Sequence, residues 1–339
     1  MKNFKSIAVV VLNWNGEDMV EAAVLSLLKQ SYQQFKIIIV DNGSTDNSRK
    51  ILEKLKDENF EKIELIFNEQ NLGFALGVNV GIKHALDNNF DFVGLFNNDA
   101  VAEENWLEKL VESFDKVDNL GGATCLLLHK NGKTIDSTGD WYSVWGLPFP
   151  RSRDQKTELA PQSGLVFGVS GGASLYSATL FKEIGLFDER FFAYFEDVDI
   201  SFRAQLAGYK FYFNKEAIAY HTQGATSKKF PGFGKFQMFK NLPQLFIKNV
   251  PLGLILPIGL RFLPILLLFL LRSLLGLREA VPTLKGFLVS FLLIPGSLLR
   301  RREVQGNKKV TNQYLREIIW WGLPPKMTKK LFGKEVEVK

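Results

Sequence analysis

Cysteine is nearly absent from this chain, and its absence excludes whole classes of site. Cys125 is the only cysteine among the 339 residues. No disulfide can therefore form within the chain, and no metal cluster can be bound by thiolates. A chain without disulfides fits a reducing compartment.

We expect no secretory leader at the start of this sequence, and it holds no dinucleotide fingerprint. The first apolar run, SIAVVVLNW, is too short for the hydrophobic part of a signal peptide, and no small-residue cleavage site follows it. We expect it to form a buried first strand, in a domain that stays in the cytoplasm. The glycines of NLGFALGVNVGI do not follow the GxGxxG spacing, and they come after the third apolar run. This excludes a dehydrogenase.

Composition and charge indicate a folded protein at a membrane. Hydrophobic residues make up 46% of the chain and charged residues 23%, which excludes wholesale disorder. The net charge is +6, and the basic residues concentrate after Thr226, beside the most apolar segment. That location favours an anionic membrane surface over nucleic acid. We predict a catalytic domain over residues 1–230 and a helical, membrane-associated region over residues 231–339.

Apolar runs alternate with amphipathic stretches in the first hundred residues. The apolar runs predict four strands: Ile7–Leu12, Lys36–Val40, Ile63–Phe67 and Phe92–Phe96. The stretches between them predict three helices: Glu17–Gln30, Asp46–Lys56 and Phe74–Leu86. Such alternation is typical of βαβ units and of a mostly parallel, Rossmann-like sheet with flanking helices. Ligands bind such sheets at the carboxyl ends of the strands.

Aromatic and polar residues follow three of these strands. Trp14 follows the first and Asp41 ends the second, and an aromatic face beside a carboxylate suits a nucleobase. The fourth strand leads into Asn97, Asn98 and Asp99. One carboxylate together with substrate phosphates suffices to bind Mg²⁺ or Mn²⁺, although a helix N-cap would explain Asp99 as well.

The most informative stretch is FFAYFEDVDISFR, Phe191 to Arg203. A helix that begins near Glu196 would hold three carboxylates in its first turn, where the helix dipole favours anions. One interpretation is an acidic helix start beneath an aromatic cover. The other is a carboxylate held at the rim of a cleft as a general base.

Two further segments point towards the same region. Asp136–Pro161 loses its periodicity but contains two tryptophans, which predicts a long loop near the site. YKFYF and AIAYH predict two short strands, the second ending at His221. A lone histidine is more often a structural hydrogen-bonding residue than a ligand. We therefore expect His221 to bind a metal only if it converges with Asp99.

The ordered set of motifs resembles glycosyltransferase family 2, and most closely its bacterial rhamnosyltransferase-like branch. The motifs are VVLNWNG, DNGSTD, NLGFALGVNVG, NNDA, SGGASLYS, FEDVDISFR and YHTQGATS, and they span Lys5 to Lys229. The resemblance implies a GT-A fold, a nucleotide-diphosphate-sugar donor such as a dTDP- or UDP-sugar, and a divalent cation, Mg²⁺ or Mn²⁺.

The resemblance also implies a role for each motif. The implied donor-binding residues are Trp14, Asn15, Asp41, Asn71, Asn98, Gly171 and Gly172. Asp99 is the last position of the metal-binding DXD motif, written NND here, so one metal carboxylate remains where some members have two. His221 matches a position that completes the metal shell in some members. Asp197, paired with Glu196, matches the catalytic base.

These roles imply direct displacement with inversion of the anomeric centre, because no second nucleophilic carboxylate is evident. Alternatives are a polyprenyl-phosphate sugar transferase, whose phosphate acceptor needs little base assistance, and a non-catalytic membrane-bound protein that binds sugar nucleotides. A nucleotidyltransferase is excluded because the first loop, NWNGED, is acidic.

The last third of the chain predicts membrane helices. FGKFQMFKNLPQLFIK has an interfacial, basic amphipathic pattern. Two apolar stretches follow, Pro251–Leu271 and Gly286–Leu299, both flanked by basic residues. We expect these helices to lie in, or re-enter, the cytoplasmic leaflet of the inner membrane rather than to cross it, since the loop between them is basic. A lipid-linked glycan is the expected acceptor, and a soluble helical subdomain is the alternative.

Overall fold

The computed structural model describes residues 5–222, 224 and 230–326. The strands are β1 (Ile7–Asn13), β2 (Phe35–Asn42), β3 (Ile63–Asn68), β4 (Phe92–Asn97), β5 (Ala100–Ala102), β6 (Leu120–His129), β7 (Ile135–Ser137), β8 (Asp140–Tyr142), β9 (Pro148–Pro150), β10 (Gly164–Val166), β11 (Ala173–Ser177) and β12 (Lys210–His221). The helices are α1 (Val20–Leu28), α2 (Ser48–Glu58), α3 (Gly73–Asp87), α4 (Trp106–Glu112), α5 (Ala178–Ile184), α6 (Glu196–Leu206), α7 (Phe233–Asn249), α8 (Leu252–Leu274), α9 (Leu277–Gly306) and α10 (Asn312–Ile318).

A mixed sheet forms the centre of the described structure. Its main path runs β10-β12-β6-β11-β4-β1-β2-β3, with β5 added to β12 and β7 added to β6. The predicted βαβ half is parallel: β4, β1, β2 and β3 pair side by side in one direction. β11 joins the two halves and is antiparallel to both β4 and β6. The carboxyl ends of β1 and β4 therefore face the same edge, which is where the site forms.

Apolar runs and small residues explain why α3 lies close against the sheet. Residues 7–11 of β1 are completely buried, as expected of a parallel strand covered on both faces. Gly81 of α3 lies over this strand: a Cβ there would lie 2.5 Å from Val10 Cγ1. The small-residue stretch that does not fit a dinucleotide fingerprint thus brings a helix into backbone-close contact with the sheet.

The second half of the sheet differs from the sequence prediction in three places. The two strands predicted between Tyr209 and His221 are one strand, β12, which stays continuous through an irregularity between Asn214 and Ile218. β5 was not predicted. The loop predicted over Asp136–Pro161 is not irregular throughout, because it contributes β7 to the main sheet and forms the hairpin β8–β9.

The C-terminal region is helical, as predicted, but its helices are more continuous than the prolines suggested. Pro257 and Pro264 lie inside α8, and the short second apolar stretch is part of the 30-residue helix α9. Both helices are long and apolar enough to cross a membrane. They expose leucines on their outer faces, including Leu252 (82%), Leu256 (69%) and Leu292 (79%).

α7 does not have the surface character predicted for it. Lys240 is 7% exposed and Lys248 is 1% exposed, and Phe239, which directly precedes Lys240, is fully buried. Their charged groups face the segment before α6 and α6 itself rather than a lipid surface. The predicted lysine-rich C-terminus and most of the TQGATSKK stretch after His221 lie outside the described residues.

Candidate active site

A cavity of about 780 Å³ opens at the carboxyl ends of β1 and β4. Its walls come from the loops after these strands, the start of α3, the loop before β11, the start of α6 and the end of β12. Nine of the predicted site residues line it: Trp14, Asn71, Asn98, Asp99, Gly171, Gly172, Glu196, Asp197 and His221. The predicted residues Asn15 and Asp41 do not line it.

Asp99 and His221 converge, which is the condition set for a metal role of the histidine. His221 Nε2 lies 3.0 Å from Asp99 Oδ1, and Nδ1 lies 2.7 Å from Asp136 Oδ2. β12 and β5 set this geometry, because His221 pairs with Ala100, the residue after Asp99. Burial alone would lower the pKa of His221, but the hydrogen bonds to Asp136 and Asp99 raise it to about 9.

The donor set of this corner fits a hard divalent cation bound jointly with a diphosphate. Among the residues that the structure describes, no group of three or more His, Cys, Asp or Glu side chains forms a self-sufficient metal site. At this corner Asp99 and His221 offer one carboxylate and one imidazole, and Mg²⁺ or Mn²⁺ with so few protein ligands takes the rest from substrate phosphates and water. Asp136 on the other ring nitrogen would fix the imidazole orientation, as carboxylates behind metal-bound histidines do.

The carboxylate of Asp197 lies at the first turn of α6, which begins at Glu196 as predicted. The backbone N–H of Gly171 donates to Asp197 Oδ2 at 3.2 Å, and the N–H of Val198 donates to Oδ1 at 2.8 Å. Burial raises the pKa of Asp197, and these two hydrogen bonds act in the opposite direction by favouring the ionised form. Val198, Ile200 and the other apolar residues of α6 are buried and pack the helix down.

Two further carboxyl groups line the cavity beside Asp197. Burial and the charge of Asp197 raise the pKa of Glu196 and of Asp140 well above the usual range. Glu196 Oε2 and Asp140 Oδ2 have no hydrogen-bond partner among the described residues. Of these three carboxyls, Asp197, with two N–H donors, has the surroundings that most favour the ionised form.

The nucleotide side of the cavity is built on amides. Asn98 Nδ2 donates to Asn13 Oδ1 at 2.8 Å, which connects the ends of β4 and β1. Asn71 Oδ1 accepts from Asn42 Nδ2 at 3.0 Å and so holds the start of α3 against β2. Trp14 lies at the mouth and stacks on Phe230, with 5.7 Å between the ring centres.

Asp41 and Asn15 lie behind this wall. Asp41 is 1% exposed. Its oxygens accept hydrogen bonds from Asn13 Nδ2 (3.2 Å), from the Ser44 N–H (3.2 Å) and from Arg49 Nε (3.1 Å). Asn15 Oδ1 accepts from the Thr45 N–H at 2.8 Å. A base contact by Asp41 stays a prediction, and it would require this hydrogen-bonded corner to rearrange.

The segment directly before Asp197 has a strained backbone. Phe192, Tyr194 and Phe195 have φ values of 61°, 71° and 73°, a left-handed conformation that costs bulky residues roughly 1–3 kcal/mol each. Their rings form one rim of the cavity, and Phe233 of α7 contacts both Phe192 and Tyr194 at 6.2 and 6.0 Å between ring centres. The predicted aromatic cover is therefore present, and it includes a residue of the C-terminal region.

Sequence reasoning missed three charged residues of the cavity, Asp136, Asp140 and Arg153. Arg153 forms an ion pair with Asp136 Oδ1 at 2.9 Å. All three lie in the stretch predicted as a loop near the site. The available signal was a set of charged residues in a stretch that also holds aromatic residues, but only the folded chain shows which of the charged side chains face the cavity.

Comparison with known proteins agrees with this architecture. The model of the family "Glycosyl transferase family 2" matches residues 6–185, more than half of the chain. An uncharacterized glycosyltransferase of Haemophilus influenzae is 23% identical over 68% of this chain and 73% of its own length. The poly-beta-1,6-N-acetyl-D-glucosamine synthase of Staphylococcus aureus is 25% identical over 64% of this chain, which spans only half of the synthase.

Among solved structures, the mannosyltransferase PcManGT of Pyrobaculum calidifontis, in complex with GDP-Man and Mn²⁺, superposes with a TM-score of 0.55. It is 15% identical, and the match covers 98% of this chain and 89% of that one, so it supports the fold alone. The predicted fold class is thus confirmed, while the rhamnosyltransferase-like branch is not distinguished. The chain has the GT-A fold and belongs to glycosyltransferase family 2.

Proposed function

We propose that this glycosyltransferase moves a sugar from a dTDP- or UDP-linked donor to a hydroxyl of a lipid-linked or cell-surface glycan, with inversion and with Mg²⁺ or Mn²⁺. The observation that carries the proposal is that the Asp99–His221 corner and Asp197 face one cavity. A cation corner and an ionised base are the two elements that a direct displacement needs.

The residues of the chain divide this reaction between them. Asp99 and His221 would hold the cation, which neutralises charge on the departing diphosphate. Asp197 accepts the proton of the acceptor hydroxyl as its oxygen bonds to the anomeric carbon and the bond from that carbon to the diphosphate oxygen breaks. The two N–H donors from Gly171 and Val198 hold the carboxylate ionised and oriented for this step.

The carboxyl cluster favours single displacement over a covalent sugar–enzyme intermediate. A carboxyl nucleophile must be ionised to attack. Burial and the charge of Asp197 raise the pKa of Glu196 and of Asp140 well above the usual range, which favours the protonated form of both while Asp197 is charged. This leaves one functional carboxylate on the acceptor side, and inversion follows.

The choice of donor sugar rests on the motifs, because the set resembles the rhamnosyltransferase-like branch. We therefore propose rhamnose from a dTDP donor as the first candidate. For the location, we propose the cytoplasmic face of the inner membrane, bound through the exposed leucines of α8 and α9. Arg261, near the middle of α8, favours helices lying along the leaflet, because a spanning helix would carry this charge into the bilayer core.

The test uses the purified full-length protein, Mn²⁺ and a panel of nucleotide-sugars, with release of nucleoside diphosphate as the signal. Asp99→Ala and Asp197→Asn are compared with Asp57→Asn, which changes an exposed carboxylate on α2. We expect release with one donor, lost in the two site variants and retained in the control. Metal-dependent binding of the nucleoside diphosphate, measured by calorimetry, tests the donor site without an acceptor.

Two results would overturn the proposal. Turnover that survives both substitutions would show that Asp197 is not the base and that Asp99 is not a required metal ligand. Survival of turnover in Asp197→Asn alone would favour a phosphate acceptor. Absence of both turnover and metal-dependent nucleotide binding in the unmodified protein would favour a non-catalytic role.

A further inference from the structure

Asn241 of α7 connects the C-terminal helical region to the backbone in front of the assigned base. We propose that Asn241 is a positioning residue: it holds the left-handed segment Phe191–Phe195 in place and thereby orients Asp197 towards the acceptor hydroxyl. The inference rests on the proposed role of Asp197 as base. It goes beyond that role because it makes the C-terminal region a working part of the active site rather than an anchor alone.

The contacts of Asn241 are unusually concentrated. Its side-chain nitrogen lies 3.0 Å from the carbonyl oxygen of Phe191, 2.9 Å from that of Ala193 and 2.8 Å from that of Tyr194. The side chain is 1% exposed, so water does not compete for these carbonyls. Three acceptors on one side also fix the orientation of the amide, since only its NH₂ group can donate to them.

Other donors from outside the segment complete the set. Lys240 Nζ donates to the carbonyls of Arg190 (3.0 Å) and Phe191 (3.1 Å). The first N–H groups of α3 donate to the remaining one, with Phe74 at 2.6 Å and Ala75 at 3.1 Å from the Phe192 oxygen. Every carbonyl from residue 190 to 194 thus has a donor on α3 or α7. The donor is on α3 for the Phe192 carbonyl and on α7 for all the others.

This arrangement matters for Asp197 because the segment runs directly into the base helix. Tyr194 and Phe195 have positive φ, and α6 begins at the next residue. A rotation of either peptide would turn the first helical turn and move the Asp197 carboxylate away from the Gly171 N–H that it now accepts from at 3.2 Å. Bulky residues leave the left-handed region when their partners are removed, so the donors on α7 hold the geometry.

The experiment compares Asn241→Ala with Gln244→Ala. Gln244 is a matched control: it is a buried amide one turn further along α7, but it donates to Ser290 of α9, at 2.7 Å, and not to the strained segment. For Asn241→Ala we expect kcat to fall roughly 10- to 100-fold, as displacement of a reacting group by about 1 Å does. The affinity for nucleoside diphosphate with Mn²⁺ should stay within about twofold, because none of the hydrogen bonds given above for the donor side involves a residue of α7.

A double-mutant cycle separates positioning from a general loss of structure. If Asn241 acts through Asp197, Asn241→Ala should reduce the residual rate by no more than about twofold in an Asp197→Asn background. Equal losses in both backgrounds, or the same loss in Gln244→Ala, would overturn the proposal. If Asn241→Ala does not fold, Asn241→Ser, which keeps one donor, takes its place.

Hydrogen exchange gives a readout that does not require turnover. Asn241→Ala should speed amide exchange in residues 191–199 and at the start of α3, whereas Gln244→Ala should not. If the unmodified protein shows no transferase activity, the proposed function fails, and this pattern still decides whether Asn241 holds the segment. Unchanged exchange in residues 191–199 would refute the positioning role.

Discussion

Lys248 provides the strongest test of how the two regions are held together. Its ammonium is 2.6 Å from Asp188 Oδ2 and 2.6 Å from Asp199 Oδ1, and all three side chains are at most 2% exposed. Removing one partner of a buried ion pair costs about 3–5 kcal/mol, because the remaining charge is left without compensation. Here each carboxylate keeps another cation, with Arg190 2.8 Å from Asp188 and Arg203 2.9 Å from Asp199.

The low end of that range therefore applies. We expect Lys248→Met to lower the free energy of unfolding by about 3 kcal/mol, which raises the equilibrium constant for unfolding roughly 150-fold. Denaturant titration at pH 7, followed by fluorescence, measures the change. Lys54→Met is the control: Lys54 lies on the surface, 3.8 Å from Glu58, and its loss should cost less than about 0.5 kcal/mol. A loss below about 1 kcal/mol in Lys248→Met, at an unchanged denaturant slope, would refute the buried network.

Three further predictions concern the base, the packing of α3 and the membrane. Burial raises the pKa of Asp197, and the base must be ionised to act. The acidic limb of the kcat/KM profile should therefore lie at a pH above the ordinary range of carboxyl pKa values. An acidic limb below that range would contradict this assignment. Gly81→Ala should destabilise the protein, since overpacking against Val10 costs about 1–3 kcal/mol while helix propensity returns no more than about 1 kcal/mol, and a raised melting temperature would count against it. Leu256→Glu with Leu292→Glu should reduce sedimentation with anionic vesicles without lowering the melting temperature, because both side chains are exposed; unchanged sedimentation would exclude this face as the lipid contact.

The parallel half of the fold was predictable because its signals are local. Each apolar run of β1 to β4 is flanked by turn residues, and helix-period stretches lie between them, so the strands are found within one or two residues of the predicted bounds. The start of α6 at Glu196 was predictable for the same reason. The convergence of Asp99 with His221 was stated only as a condition, since the two residues are 122 positions apart and meet through the pairing of β5 with β12.

What could not be predicted depends on contacts between distant segments. Asp136 and Asp140 carry no local signal that separates them from surface carboxylates, and they become site residues only because β7 pairs with β6 and β8 bridges to Gly168. The left-handed backbone at Phe192, Tyr194 and Phe195 has no sequence signature either, because these residues ordinarily avoid positive φ. Its carbonyls accept tertiary hydrogen bonds, from donors on α7 almost 50 residues further along the chain and from Phe74 and Ala75 at the start of α3.

The lysines of α7 show how composition alone misleads about the C-terminal region. A helix with phenylalanines and lysines at these spacings is typical of an interfacial helix, yet the same pattern also fits a helix that buries its cations against carboxylates and carbonyls. Asn241 and Lys248 are seven residues apart, two turns of helix, so both lie on one face, and that face contacts the segment before α6 and α6 itself. Since α7 also packs on α9, a displacement of the exposed apolar helices would reach the strained segment through α7 without passing through the sheet. Membrane contact at α8 and α9 and the orientation of Asp197 should therefore be linked, and the link should weaken in Asn241→Ala: vesicles that raise the kcat of the unmodified protein should leave that of the variant nearly unchanged.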